Sequence, residues 1–263
     1  MVPVGVLPFR FPGPALGSNP GGNSGLAGVC CAFTTRRGGA SLPPFDGANL
    51  SFDEGDEPAA VTANRRNLAA GLGLSAWCEL RQVHGDVLHI EPAPTELDRA
   101  ASLEGDALAT STPGLALVIK TADCQPVLLA HQSGRFVAAL HVGWRGNVAN
   151  LPGSAVARLC AHYGCGPDEL CAVRGPSLGP QAAQFTRFEA EFGPDFADFY
   201  DAEVQTVDLW RLTRTQLMRA GLVSGNIFGL DLCTRSNPLE FFSFRAARTT
   251  GRQMALIWID SGA

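Results

Sequence analysis

The sequence predicts an α+β fold, a single domain in which mixed β-sheets are layered between helices. Short apolar or alternating runs separated by turn residues crowd the middle of the chain, the pattern of strands in a mixed sheet. Clear helical periodicity is confined to two segments, one early and one late, so helices flank strands and do not alternate regularly with them. No internal repeat and no long linker interrupts the 263 residues, which read as one domain over 1–263.

The elements follow in order. After a short first strand, residues 11–28 are mostly Gly, Pro, Ser and Asn and read as a flexible surface loop. Cys30 to Thr35 is a strand running into the permissive turn Arg36-Arg37-Gly38-Gly39. Asp56 is a good N-cap, Pro58 suits a first turn, and the amphipathic segment they open ends at the Gly71-Leu72-Gly73 stop. Cys78 to Val83, Val87 to Ile90, Ala107 to Thr110, Leu115 to Lys120, Pro126 to Ala130 and Phe136 to Val142 are the central strands. Asn150 to His162 has helical spacing, but Pro152 and Gly153 predict a short helix starting near Pro152. A second clear helix spans Val207 to Ala220, with Leu209, Leu212, Leu217 and Met218 on its apolar side and Gly221 as C-cap. Phe241 to Arg245 and Met254 to Ile259 read as closing strands.

Composition narrows the function. A 46% hydrophobic chain of this length can bury a large core, and the 17% charged fraction leaves a surface rich in Gly, Pro, Ser and Thr loops. The net charge of -5 and the absence of any basic block argue against a nucleic-acid partner. No run approaches the ~18 apolar residues of a membrane span, and the Met1 to Phe9 run is too short for a signal sequence and ends in Arg10, so a cytoplasmic location without membrane partner is expected. In that reducing setting the eight cysteines read as free thiols plus a metal ligand, not as a disulfide framework.

Three runs stand out: Arg81-Gln82-Val83-His84-Gly85, Thr121-Ala122-Asp123-Cys124-Gln125-Pro126 and His141-Val142-Gly143-Trp144-Arg145-Gly146. Each closes an apolar stretch, where strands give way to functional loops. Zinc takes imidazole nitrogen and thiolate sulfur readily, and catalytic sites use three protein ligands with a fourth position open; His84, Cys124 and His141 meet that count. Taken singly, each His reads more readily as a satisfied polar residue at a strand end, and the wide spacing proves nothing. The flanking chemistry favours a site: Gly85, Gly143 and Gly146 permit close backbone approach, and Trp144-Arg145 pairs an aromatic surface with a bidentate donor. Asp123 suits a turn or a hydrogen-bond partner better than a ligand. Cys30, Cys31, Cys160, Cys165 and Cys171 read as small apolar packing. His89-Ile90-Glu91 has the His-x-Glu of zinc nucleobase deaminases but no following Pro-Cys-x-x-Cys, and His131 and His162 have no partner motif.

These runs, with Thr34-Thr35-Arg36-Arg37-Gly38-Gly39, Asn64-Arg65, Gly105-Asp106-Ala107, Gly175-Pro176, Asp208-Leu209, Cys233-Thr234, Phe241-Phe242-Ser243-Phe244-Arg245 and Thr250-Gly251-Arg252, make a chain that resembles the YfiH/YlmD family over nearly its whole length. Members are described variously as polyphenol oxidase, laccase-like domain and purine nucleoside phosphorylase. The resemblance implies an α+β fold and one zinc ion at His84, Cys124 and His141, which would then be catalytic as well as metal-binding. It also implies phosphorolysis of adenosine, inosine, guanosine and methylthioadenosine, with adenosine deamination, so the expected partners are purine nucleosides and phosphate. Copper is a lesser alternative, because a multicopper cluster needs many more imidazoles than the five His present. Arg36, Arg145 and Arg245 are the candidates for binding phosphate. Two other readings use the same atoms: a Cys-His amide hydrolase of cell-wall precursors, with Cys124 activated by His141, and a noncatalytic zinc-stabilised binding domain. The segment 181–187 departs from the family pattern, which opens the substrate range there.

Overall fold

A computed structural model describes residues 2–12, 26 and 28–262 of the chain. The strands are β1 (Val6–Phe9), β2 (Val29–Thr34), β3 (Ala76–Cys78), β4 (Leu88–Ile90), β5 (Ala107–Thr110), β6 (Leu115–Thr121), β7 (Gln125–His131), β8 (Val137–Val142), β9 (Leu170–Arg174), β10 (Tyr200–Asp201), β11 (Thr206–Val207), β12 (Ile227–Gly229) and β13 (Gln253–Ile259). The α-helices are α1 (Pro58–Leu72), α2 (Trp144–Val148), α3 (Leu151–Tyr163), α4 (Phe188–Glu191) and α5 (Leu209–Arg219). One sheet runs β1-β2-β13-β6-β3, a second runs β12-β9-β7-β8-β5-β4, and β10-β11 form a small ribbon.

Alternation along the central strands explains the layering. In β6, Leu117 and Ile119 face β7 and β8 residues Leu128, Val137 and Ala139 of the other sheet, while Ala116 and Val118 pack outward with Leu68 of α1. In β7, Leu128 and Ala130 point into the space between the sheets, and Val127 and Leu129 point out to Leu151, Val156 and Leu159 of α3 and Leu217 of α5. Strands buried on both faces read as continuous apolar runs, which is what β6, β7 and β8 show. The result is four layers: α1, sheet, sheet, and α3 with α5. Among the described residues no helix is long and apolar enough to cross a membrane.

Several expectations shift. The helix after residue 150 is not short: α3 has 13 residues, because Pro152 falls in the first turn, where its missing N–H costs nothing, and Leu151, Ala155, Val156 and Leu159 form a buried stripe. The strand expected over 78–83 stops at Cys78, and the side chain of Gln82 takes its place, donating Nε2 to the Lys120 carbonyl at 2.8 Å and accepting the Lys120 N–H at Oε1, also 2.8 Å. No strand forms at 241–245 either. There Gln253 supplies the missing ladder, accepting the Phe242 N–H at 2.8 Å and donating to the Phe242 carbonyl at 3.2 Å. Strands β9, β10, β11 and β12 and helices α2 and α4 lie outside the expected elements.

The flexible loop expected over 11–28 falls mainly on residues 13–25 and 27, outside the described residues. At its ends Phe11 and Leu26 are buried in the core, and the Leu26 N–H donates to the Phe11 carbonyl at 3.0 Å. All eight cysteines are free.

Gln253→Ala strands one buried N–H and one buried carbonyl of Phe242, so it should destabilise the fold by about 2–3 kcal/mol. Urea unfolding checks this; an unchanged midpoint would mean that water replaces the amide.

Candidate metal centre

The floor of the site is set by one carboxylate. Asp106 is fully buried at the entrance to β5 and accepts the backbone N–H groups of Val83 at 3.2 Å, His84 at 3.0 Å and Gly85 at 2.7 Å. These three bonds fix the loop that carries His84, whose backbone sits at φ 60°, in the left-handed region. The same carboxylate lies 2.8 Å from Nδ1 of His141, at the end of β8. An ionised carboxylate only accepts, so Nδ1 carries the proton and Nε2 is left to face the site. Desolvation opposes ionisation of Asp106, but the His141 ring and the backbone donors outweigh it and hold the carboxyl below its usual range.

Cys124 enters from the β6–β7 turn. Asp123, immediately before it, has φ 99° and is pinned by two contacts: it accepts from the Thr234 hydroxyl at 2.6 Å and from the Arg245 N–H at 2.7 Å. Cys124 Sγ lies 3.8 Å from His84 Nε2, and the two imidazoles meet edge to face with centroids 4.8 Å apart. One ligand atom from each of His84, Cys124 and His141 lies within 4.8 Å of the others, and among the described residues they form the group placed to share an ion. Gly143 sits close against the site: a Cβ there would lie 3.1 Å from both Cys124 Sγ and His84 Cδ2, so one of these side chains would have to shift by a few tenths of an ångström. Burial alone would raise the Cys124 thiol, yet the adjacent His141 and His84 bring it down to about 6. His141, which burial would lower, is pushed up to about 9 by the Cys124 sulfur and Asp106. Two nitrogens and an easily ionised sulfur, oriented from behind and open on one side, suit a borderline-soft divalent ion.

That open side is a cavity of about 810 Å³. One wall is polar, with Lys120 and Arg252; Lys120 bonds Asp53 at 3.0 Å and Arg252 bonds Glu54 at 2.8 Å. The other wall is aromatic and cationic. Arg145 lies over the Trp144 ring at 4.3 Å, and Arg245 lies over Phe185 at 4.9 Å. Arg248 joins them on that wall, and none of the three has a carboxylate partner among the described residues.

Of the arginines expected to bind substrate, Arg145 and Arg245 line this cavity and Arg36 does not. The Arg36 guanidinium is spent on loop closure. It donates to the carbonyls of Asp46 at 2.6 Å and Pro238 at 3.1 Å and lies over Phe242 at 4.6 Å. Sequence reasoning gave Asp106 no role and missed Lys120, Arg248, Arg252 and Phe244. Lys120 had a signal, as a lone cation ending an apolar strand; Arg248, in a polar turn, had none. The other imidazoles are engaged elsewhere: His89 with the Glu104 carbonyl at 2.7 Å, His131 with Glu169 at 3.0 Å, and His162 against Tyr163.

Comparison with known proteins places this arrangement. Residues 30–260 match the family described as multi-copper polyphenol oxidoreductase laccase. A protein of Xylella fastidiosa (strain Temecula1) named purine nucleoside phosphorylase is 40% identical, with 88% of this chain and 93% of that protein covered. The Escherichia coli K12 protein named purine nucleoside phosphorylase YfiH is 38% identical over 88% of this chain and 94% of its own length. The crystal structure of the Bacillus licheniformis hypothetical protein YfiH superposes with a TM-score of 0.80 at 29% identity, covering 88% of this chain and 93% of that one. With the motif series, the fold and these relatives in agreement, the chain belongs to the laccase-like family that includes YfiH.

Proposed function

We propose that this chain is a zinc-dependent purine nucleoside phosphorylase acting on adenosine, inosine, guanosine and methylthioadenosine, with adenosine deamination as a second activity. The observation that carries the reading is the convergence of His84, Cys124 and His141 on the floor of a cavity whose wall offers three guanidinium groups without carboxylate partners among the described residues. The names of the relatives point the same way.

In phosphorolysis a phosphate oxygen bonds to the sugar C1′ as the bond from C1′ to the base nitrogen breaks, giving sugar 1-phosphate and free base. Arg145 and Arg248 supply forked donors for a phosphate, and Arg245, whose guanidinium also donates to the Gln184 carbonyl at 2.6 Å, adds charge to the cavity. Asp106 holds the His141 tautomer and the His84 loop, so the ligand atoms are oriented before anything binds. A zinc ion held by His84, Cys124 and His141 would supply Lewis acidity at the floor of the cavity. Copper suits the same three donors less well as a multicopper cluster, since the remaining imidazoles lie in other contacts.

The test is incubation with adenosine, with and without phosphate, following free base and inosine separately, alongside metal analysis of the protein. Phosphate-dependent base release with stoichiometric zinc is expected. Inosine alone would reduce the reading to a deaminase. Neither product, with metal-free protein and a rapidly alkylated Cys124, would favour an amide hydrolase; neither product with bound zinc would favour a binding domain.

Arg145→Ala and Arg248→Ala should each raise the phosphate concentration needed for half-maximal rate by about tenfold or more, the worth of one charge-assisted contact, with zinc content unchanged. Arg36→Ala should leave that requirement alone. Phosphate titrations of the three variants decide it.

A further inference from the structure

Building on the nucleoside reading, we infer that Phe244 is the platform on which the planar base of the substrate stacks. The run Phe241-Phe242-Ser243 is buried, with exposures of 2%, 0% and 3%, whereas the next residue, Phe244, is 42% exposed and lines the cavity. A large aromatic side chain turned out of the core into a cavity that contains a candidate metal centre calls for a ligand surface to cover it. The other two aromatic residues of the cavity wall are already covered, Trp144 by Arg145 and Phe185 by Arg245. Phe244 pairs with no other ring among the described residues, and its one cationic neighbour, Arg248, stands 5.8 Å from the ring centroid.

The platform is also held in register with the centre. The N–H of Arg245, next in the chain, donates to Asp123 at 2.7 Å, and Asp123 precedes Cys124. On the other side, Ser243 closes the turn by accepting the Ala247 N–H at 3.0 Å. A stacking face at fixed separation from the ligand atoms selects for a flat heteroaromatic base, and bicyclic purines offer more overlap than single-ring pyrimidines.

Steady-state kinetics with adenosine and equilibrium binding of free adenine, both on the metal-loaded protein, test this. Phe244→Ala should raise the adenosine KM about five- to a hundredfold, the usual worth of one base-aromatic stack, and weaken adenine binding by a similar factor. The zinc content and the KM for phosphate should not move, and Phe244→Tyr should restore the adenosine KM to within about threefold. An unchanged adenosine KM in an Ala variant of an active enzyme would overturn the platform. If the wild type releases no base, the phosphorylase reading fails, and adenine binding still decides the platform: weaker binding in the Ala variant supports it, while equal binding, or none to the wild type, removes it.

Discussion

Cys124→Ser should leave the protein folded but without stoichiometric metal, and phosphate-dependent base release should fall by more than about a hundredfold. Partners that merely orient a ligand cost about 10–100-fold in metal affinity or activity when removed, so loss of a ligand must exceed that. Asp106→Asn is the graded comparison: it keeps a side chain of the same size but removes the charge that holds the Nδ1 proton of His141, and should fall within that 10–100-fold range. Metal content and initial rates on the same preparations check both. Full zinc occupancy in Cys124→Ser would sink the assignment of the sulfur as a ligand.

The largest effect on stability is expected beneath the polar wall of the cavity. Arg65 and Glu79 are both fully buried and joined by two parallel bonds of 2.8 and 3.1 Å, and Arg65 also donates to the Leu50 carbonyl at 2.7 Å and lies over the Phe52 ring. Breaking such a pair from one side leaves a buried charge without its partner, and Arg65→Met should cost about 3–5 kcal/mol. Lys120, 3.4 Å from Glu79, remains to share the carboxylate, which places the result at the lower end. Equilibrium unfolding in urea measures it; a loss below about 1 kcal/mol would show that the pair balances its own desolvation. Because Lys120 also faces the cavity, the variant should disturb that wall as well.

The parts of the fold legible in the sequence are those governed by local patterning. The short apolar runs of β5 to β8, bounded by turn residues, and the Pro and Gly signals at the ends of α1 mark their elements within a residue or two. What was missed depends on distant partners. Nothing near Gln82 or Gln253 announces that a side-chain amide will replace a strand, and only the tertiary contact ends β3 early and keeps 241–245 out of the sheet. The centre was partly legible for the same reason. His84, Cys124 and His141 stand out by residue type, whereas the fate of Arg36 is decided by carbonyls of Asp46 and Pro238, one of them some two hundred positions away.

Asp106 holds the His141 imidazole and the backbone of the loop that carries His84, so one carboxylate serves as a single hinge pin for the centre. His141 rides on β8 and Asp106 immediately precedes β5, and those strands are antiparallel partners, with Ala107 opposite Leu140. The relation between His141 and its carboxylate is therefore inherited from sheet pairing, one of the stiffest relations in a protein, and the loop of His84 is tied to the same carboxylate. The 181–187 stretch, which brings Phe185 to the cavity, lies outside that pairing, so substitutions there can retune what enters without moving the floor.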